Sequence, residues 1–265
     1  MTRLFAVALA LSGSVAVAQT PPAGTPPVNL AVPPPAAPAA PVAALDPKLV
    51  NHLNAWEDRQ KQVQSLSVQA TQVNVNKLTK KESTRTGTVT VLKPNMVYSM
   101  MALKTDPKDY IAFIGDGRSV FVYVARDKAV TEHKMPKTGG VDGNLMLEFL
   151  SGSLTAADVA RRFDLKLVRE EPFYIQIQVI AKLPKDLQEF DSMLLVLYTP
   201  EAAKKLGANV AYLPKIVRMS KQNGQEDETW TFDDDQKINN RGVTPAYFKY
   251  QEPPPGWVRK QAPAR

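Results

Sequence analysis

Residues 111–124 read IAFIGDGRSVFVYV, and this stretch decides the fold class. Asp116 and Gly117 separate two apolar runs. An Asp-Gly pair in that position is a strong hairpin signal, because glycine adopts positive φ at little cost. Both faces of the two predicted strands are apolar, which is typical of a sheet that is covered on both sides or lines a cavity. The segment therefore predicts an antiparallel hairpin within a sheet that is either covered on both sides or lines a cavity.

Alternating or β-branched segments on both sides of this hairpin predict further strands. They lie at Leu66–Val75, Thr86–Val91, Met96–Met101, Leu165–Val168, Tyr174–Ala181 and Ser192–Tyr198. A second hairpin is predicted at Asn223-Gly224, between Ile216–Met219 and Thr229–Phe232. Because strands and helices do not alternate as in parallel sheets, the pattern indicates a purely antiparallel sheet.

Two segments are predicted to be helical. Apolar residues recur at helical spacing from Leu49 to Val63, after Asp46 as N-cap and Pro47 at the first helical position. A second segment runs from Asn144 to Phe163 and restarts after Thr155 as N-cap. Their apolar stripes should lie on the concave side of the sheet. The predicted fold class is mainly β (α+β), a curved antiparallel sheet or incomplete β-barrel covered by helices.

The N-terminal region has a different composition from the rest of the chain. Residues 1–18 combine Arg3, an apolar stretch and the small residues Ala16-Val17-Ala18, which predicts a cleaved signal peptide and a periplasmic location. Residues 19–47 are rich in proline and alanine and are predicted to be a disordered, semi-rigid tether. The folded domain is predicted over residues 48–258, with a disordered tail at 259–265.

Composition narrows the function classes. The chain has 33 Lys and Arg against 26 Asp and Glu, a net charge of +7. These charges are dispersed and form no basic stripe with interleaved aromatics, so we expect no nucleic-acid partner. There is no cysteine. We therefore expect no acyl anchor at the cleavage site, no disulfide and no thiolate metal site.

Catalytic signatures are missing from the sequence. His52 is expected on the solvated side of the first helix, and His133 beside a loop. Neither lies in a recognised catalytic motif, and no nucleophile elbow or phosphate-binding loop is found. The Asp233-Asp235 run could attract a hard cation but lacks the spacing of a dedicated site. We expect no enzyme activity, no metal and no cofactor.

The order of these features resembles the LolA-like lipoprotein-carrier superfamily. The resemblance rests on GTVTVLKPN (Gly87–Asn95), the 111–124 hairpin and LPKIVRMSKQNGQEDETWTF (Leu213–Phe232). The segments Thr155–Pro184 and Pro253–Trp257 are more similar to a secreted LolA-like family of planctomycete-type bacteria.

The resemblance implies an incomplete barrel whose apolar cavity, closed by helices, takes up acyl chains. It also implies an arginine that bonds to the helical lid. Arg85 lies near the corresponding strand, although the local motif differs.

An acyl cavity would be lined by alternate strand positions. The strand candidates are Val89, Val91, Met96, Tyr98, Met100, Phe121, Tyr123, Ile175, Ile177, Val179, Trp230 and Phe232, and the helical candidates are Leu147, Phe149 and Leu150. A shift of one residue in strand register would turn the other alternation inward, so the sequence leaves the inward face open. For each of these positions, ordinary core packing is the alternative to ligand contact.

Two functions are compatible with the sequence. The first is a periplasmic binding or carrier protein that shelters an acyl chain of a lipid or lipoprotein. The alternative is a non-enzymatic envelope scaffold or sensor domain with the same fold and a filled core. The expected partners are lipid or lipoprotein acyl chains and envelope membrane proteins, with the chain as a monomer. An empty apolar interior would favour the carrier.

Overall fold

The computed structural model describes residues 45–135 and 154–262. The predicted signal peptide, all of the predicted tether except its last residues, and Leu147, Phe149 and Leu150 of the predicted cover lie outside the described residues. Within the described ranges, no helix is long and apolar enough to cross a membrane.

The described chain is built mainly from strands. In order it forms α1 (Pro47–Gln62), β1 (Ser65–Asn76), β2 (Lys81–Leu92), β3 (Met96–Leu103), β4 (Asp106–Asp116), β5 (Ser119–Val124), β6 (Ala129–Lys134), α2 (Ala156–Arg162), β7 (Phe163–Glu170), β8 (Tyr174–Ala181), α3 (Pro184–Leu187), β9 (Ser192–Tyr198), α4 (Pro200–Leu206), β10 (Pro214–Lys221), β11 (Glu226–Phe232), β12 (Lys237–Ile238), a 3-10 turn (Pro245–Phe248) and β13 (Val258–Gln261).

These strands form one open sheet. Its order is β13-β6-β5-β4-β3-β2-β1-β11-β10-β9-β8-β7, with β12 paired to β1. The mainly β, antiparallel fold class is confirmed. The expectation of a purely antiparallel sheet needs one correction, because β13 pairs parallel with β6. The C-terminal segment, residues 250–261, returns to the sheet at this edge. Its strand β13 extends into residues that were predicted to be a disordered tail.

Both predicted hairpins are confirmed. At the first, Gly117 has φ +87°, and the carboxylate of Asp116 accepts hydrogen bonds from the N–H groups of Arg118 and Ser119, each 2.8 Å long. At the second, Asn223 and Gly224 both have positive φ between β10 and β11. In each case the local turn chemistry is enough to reverse the chain.

Helix α1 begins where its capping residues predict. Asp46 accepts a hydrogen bond from the N–H of Lys48, and Pro47 occupies the first turn. The predicted apolar stripe is buried, with Leu49, Leu53 and Trp56 all in the main core cluster. Burying each such side chain stabilises the fold by about 2 kcal/mol, which exceeds what helix propensity alone supplies over this length.

Packed apolar clusters lie on both sides of the sheet around the 111–124 hairpin, the first of the two arrangements that its apolar strands predicted. We call the side that contacts α1 the helix face; its strand residues belong to the main core cluster. The other side is the tail face, where a second cluster contains Ala112, Ile114, Phe121, Tyr123 and Val130. The C-terminal segment covers this second cluster with Tyr250 and Trp257.

Candidate ligand-binding face

The register of β3 decides which alternation faces α1. Val97 lies directly opposite Val91, and both belong to the main core cluster with Met101. Since successive strand residues point to opposite faces, Tyr98 lies on the tail face, where it packs against the second cluster. Met96 and Met100 share that face by alternation.

The structure divides the sequence-predicted lining residues between the two faces of the sheet. On the helix face it brings together Val89, Val91, Ile175, Ile177, Val179, Trp230 and Phe232. On the tail face are Phe121, Tyr123, Tyr98, Met96 and Met100. A sheet separates the two groups, so they do not line one common cavity.

The seven residues on the helix face are tightly packed. Each is exposed to 9% or less, and Ile175 and Phe232 are fully buried. They contact one another and the α1 stripe within a single cluster. This part of the helix face is therefore filled by side chains, as the scaffold hypothesis expected.

A second part of the helix face is less covered. Ile111 and Phe113 of β4 lie opposite Val124 and Val122 of β5, and all four are only partly buried. Phe113 and Val122 pack against the main cluster. We call these four residues the β4–β5 strip. The candidates predicted from the sequence in β5, Phe121 and Tyr123, belong to the other alternation, and both alternations of this strand are apolar.

The helix face becomes polar towards one end of β1. Ala70 is in the core, whereas Gln72, Asn74 and Asn76 follow on the same alternation. There, a cleft of 390 Å³ is lined by side chains that include Asn74, Asn76 and Glu228. The apolar face therefore has a polar boundary.

Glu228 is a well-sheltered acid at this boundary, with 14% of its side chain exposed. Its carboxylate accepts hydrogen bonds from Gln72 Nε2 at 2.9 Å, from Trp230 Nε1 and from Lys221 Nζ. Burial alone would raise the pKa of Glu228, but the Lys221 charge and these donors outweigh it and hold that pKa below its usual range. The Glu228 carboxylate is therefore ionised and already hydrogen-bonded to three protein donors.

Arg85 also lies on the helix face, but it is held by the sheet. Its guanidinium donates to the Asp109 carboxylate at 3.0 Å and to the Asp109 carbonyl at 2.9 Å. Arg126 contacts the same carboxylate. Burial tends to raise the pKa of Asp109, yet the two arginines hold it below its usual range. The bonds shown for Arg85 thus connect strands of the sheet.

The other polar candidates are also engaged in structural contacts. His52 is 14% exposed and lies 3.6 Å from Glu170 Oε1, which corrects the expectation of a solvated histidine: this side of α1 packs against β7. Asp234 binds Tyr198 and Lys215. Among the described residues, no group of three or more His, Cys, Asp or Glu side chains is placed to hold a metal ion.

Comparison with known proteins gives structural neighbours only. No family model and no curated protein matches the sequence. A DUF1329-family protein from Desulfovibrio piger is similar at 12% identity and TM-score 0.40, over 78% of this chain and 98% of that one. A domain assigned to outer membrane lipoprotein sorting from Vibrio parahaemolyticus has 10% identity and TM-score 0.38, over 75% and 95%.

A LolA-superfamily protein from Nitrosomonas europaea is similar at 12% identity and TM-score 0.31, over 74% of this chain and 96% of that one. The neighbours thus include the kinds of protein that the sequence motifs resemble. All three TM-scores are below 0.5, so nothing about ligand or activity follows from them. Membership of the planctomycete-type family stays a prediction.

Proposed function

We propose that this protein is a non-enzymatic protein of the cell envelope that binds an acyl chain of a lipid or lipoprotein on the helix face. The observation that carries the proposal is the β4–β5 strip: four apolar side chains, only partly covered, that continue directly from the buried core. The predicted signal peptide supports a periplasmic location.

Acyl binding at such a strip needs no catalytic or charged group. Each methylene removed from water gains about 0.8 kcal/mol, so about ten methylenes would gain about 8 kcal/mol before ordering costs are subtracted. Burial alone can therefore hold an acyl chain on an apolar strip of this kind.

The second candidate function is an envelope scaffold or sensor domain. The specific observation in its favour is the filled region under α1, where the seven predicted lining residues are packed by protein side chains. The two candidates make opposite predictions about bound lipid.

The deciding experiment is native mass spectrometry of the protein purified from its own envelope, followed by organic extraction. We expect one acylated lipid or lipopeptide per chain in the wild type. Val122→Glu places a charge in the β4–β5 strip and should abolish binding. Val122→Thr should weaken binding while nearly preserving side-chain volume.

The matched control is Ile180→Glu, which places the same charge at an exposed apolar position of β8 on the opposite face of the sheet. It should retain the lipid. A wild-type protein that carries no lipid and takes up no fluorescent acyl probe would reject the acyl-binding function and favour the scaffold.

A further inference from the structure

The tail face carries an aromatic surface that acyl binding on the helix face does not use. Tyr98 and Tyr247 meet edge to face with ring centroids 5.0 Å apart, and Tyr110 stacks on Trp257 at 6.2 Å. Met100 shares the face of Tyr98 and lies within 3.6 Å of the Tyr98 hydroxyl. We call these five residues the aromatic patch.

The aromatic patch is accessible and firmly supported. Tyr247 is 44% exposed and Met100 37%, while the remaining members are partly buried. Beneath it, the second core cluster is packed by Phe121 and Tyr123, and Tyr250 contacts both rings. The patch therefore presents rigid amphipathic rings at the surface, which reduces the entropic cost of binding.

Three lysines lie close in sequence to members of the patch. Lys108 precedes Tyr110 by two positions, Lys249 follows Tyr247 by two, and Lys104 follows the end of β3. All three are exposed, and none is among the ion pairs formed within the described ranges. Their charges therefore remain available to an external anion.

We propose that the aromatic patch docks this protein on the surface of an anionic phospholipid bilayer. Tyr and Trp rings suit the headgroup region, since one end of each is apolar and the other forms hydrogen bonds. Exposed lysines beside them are attracted to anionic headgroups. This combination favours a lipid surface over a neutral peptide groove. The proposal uses the opposite face from acyl binding and is independent of it.

The test is flotation of the purified exported protein with vesicles. One set contains phosphatidylethanolamine with phosphatidylglycerol, and the other contains phosphatidylcholine alone. We expect binding to the anionic vesicles only, weakening as salt is raised. Lys104→Gln and Lys249→Gln should each weaken binding about fivefold. Tyr247→Ala should also weaken it, because the most exposed ring is lost.

Three controls make the outcome specific. Lys204→Gln removes an exposed lysine on α4 and should bind like the wild type. Val122→Glu should keep vesicle binding even though it disturbs the helix face. On binding, tryptophan emission should shift to the blue, and Trp257→Phe should remove the shift because Trp56 and Trp230 are buried.

Equal binding to both vesicle types, or no binding to either, would overturn the membrane proposal. So would wild-type binding by both Lys249→Gln and Tyr247→Ala. Capture of an envelope protein by the patch without any vesicle binding would reject the lipid surface as its partner.

Discussion

Among the described glycines, Gly87 is the one at which an added Cβ atom would come closest to another strand. A Cβ atom built there would lie 1.8 Å from the carbonyl oxygen of Met100 and 2.8 Å from its carbonyl carbon. Both are backbone atoms, so β2 and β3 would have to separate. The requirement for glycine is thus steric and not a matter of its φ angle.

We expect Gly87→Ala to lower the free energy of unfolding by about 3 kcal/mol, measured by urea denaturation. The matched control is Gly242→Ala, where the nearest atom to an added Cβ is a side-chain oxygen 3.4 Å away. The control should stay within about 0.5 kcal/mol of the wild type. An equal loss at both glycines would contradict the steric explanation.

The Arg85–Asp109 ion pair joins β2 to β4 across β3. Both side chains are largely buried, and removing Arg85 leaves the buried Asp109 carboxylate with only the exposed Arg126 as its ion-pair partner among the described residues. We expect Arg85→Met to cost about 3 kcal/mol of unfolding free energy. The double variant Arg85→Met with Asp109→Leu should recover part of this loss, since no buried charge remains. Additive losses in the double-mutant cycle would show that the pair is not coupled.

At the scale of the elements, the carboxylate of Glu132 is a side-chain anchor of the C-terminal segment. Glu132 of β6 accepts hydrogen bonds from Lys134, Ser119 Oγ at 2.9 Å and Arg259 of β13 at 3.0 Å. Arg259 also lies over the ring of Tyr250, 4.8 Å from its centroid. A parallel strand of only four residues is thereby secured to the sheet by side-chain contacts as well as by its backbone.

These donors lower the pKa of Glu132 from its usual 4.5 to about 2. The folded state therefore binds fewer protons, and Glu132 stabilises the fold at pH values above about 4.5. That contribution is lost as pH falls from 4.5 towards 2. We expect Glu132→Gln to be less stable than the wild type at pH 7, with the difference shrinking over this window. Urea denaturation at several pH values tests this, and a pH-independent difference would contradict it.

Across the whole described domain, β1 is the strand that joins the two parts of the sheet. It pairs with β2 along its full length on one side and with β11 and β12 on the other. Within the part of the chain that the structure describes, the edge strands β7 and β13 each have one strand neighbour. Backbone amides should therefore be best protected from hydrogen exchange at the centre of the sheet and least protected at its edges.

Hydrogen exchange measured by mass spectrometry tests this gradient. We expect amides of Leu66–Thr71 to exchange slowest and amides of Val258–Gln261 to exchange among the fastest, because local opening needs fewer broken contacts at an edge. Faster exchange in β1 than in β13 would show that the sheet opens from its centre.

Much of the local structure was predictable from short-range chemistry. Asp46 and Pro47 predicted the start of α1, and the Asp-Gly and Asn-Gly pairs predicted both hairpins. The predicted bounds of Tyr174–Ala181 and Ser192–Tyr198 coincide with β8 and β9. The short helices α3 and α4 were not predicted, since four and seven residues carry too little periodicity.

The candidate site was only partly predictable. In β11, Trp230 and Phe232 alternate with threonine, and the predicted inward face is the buried one. In β5, both alternations are apolar, so nothing in the pattern separates Phe121 and Tyr123 from Val122 and Val124. Which alternation of β5 faces α1 is decided by the pairing of β5 with β4 and by the C-terminal segment, which covers the other face.

Local sequence patterns thus specify most of the strands, both predicted hairpin turns and α1, because each depends on residues close together in the chain. Composition alone excludes thiol chemistry, since the chain has no cysteine. The tertiary structure alone assigns each strand face to α1 or to the C-terminal segment, and it alone pairs Arg85 with Asp109 and Glu132 with Arg259. These contacts join residues up to 127 positions apart. Their formation depends on the register of the whole sheet, which no local pattern contains.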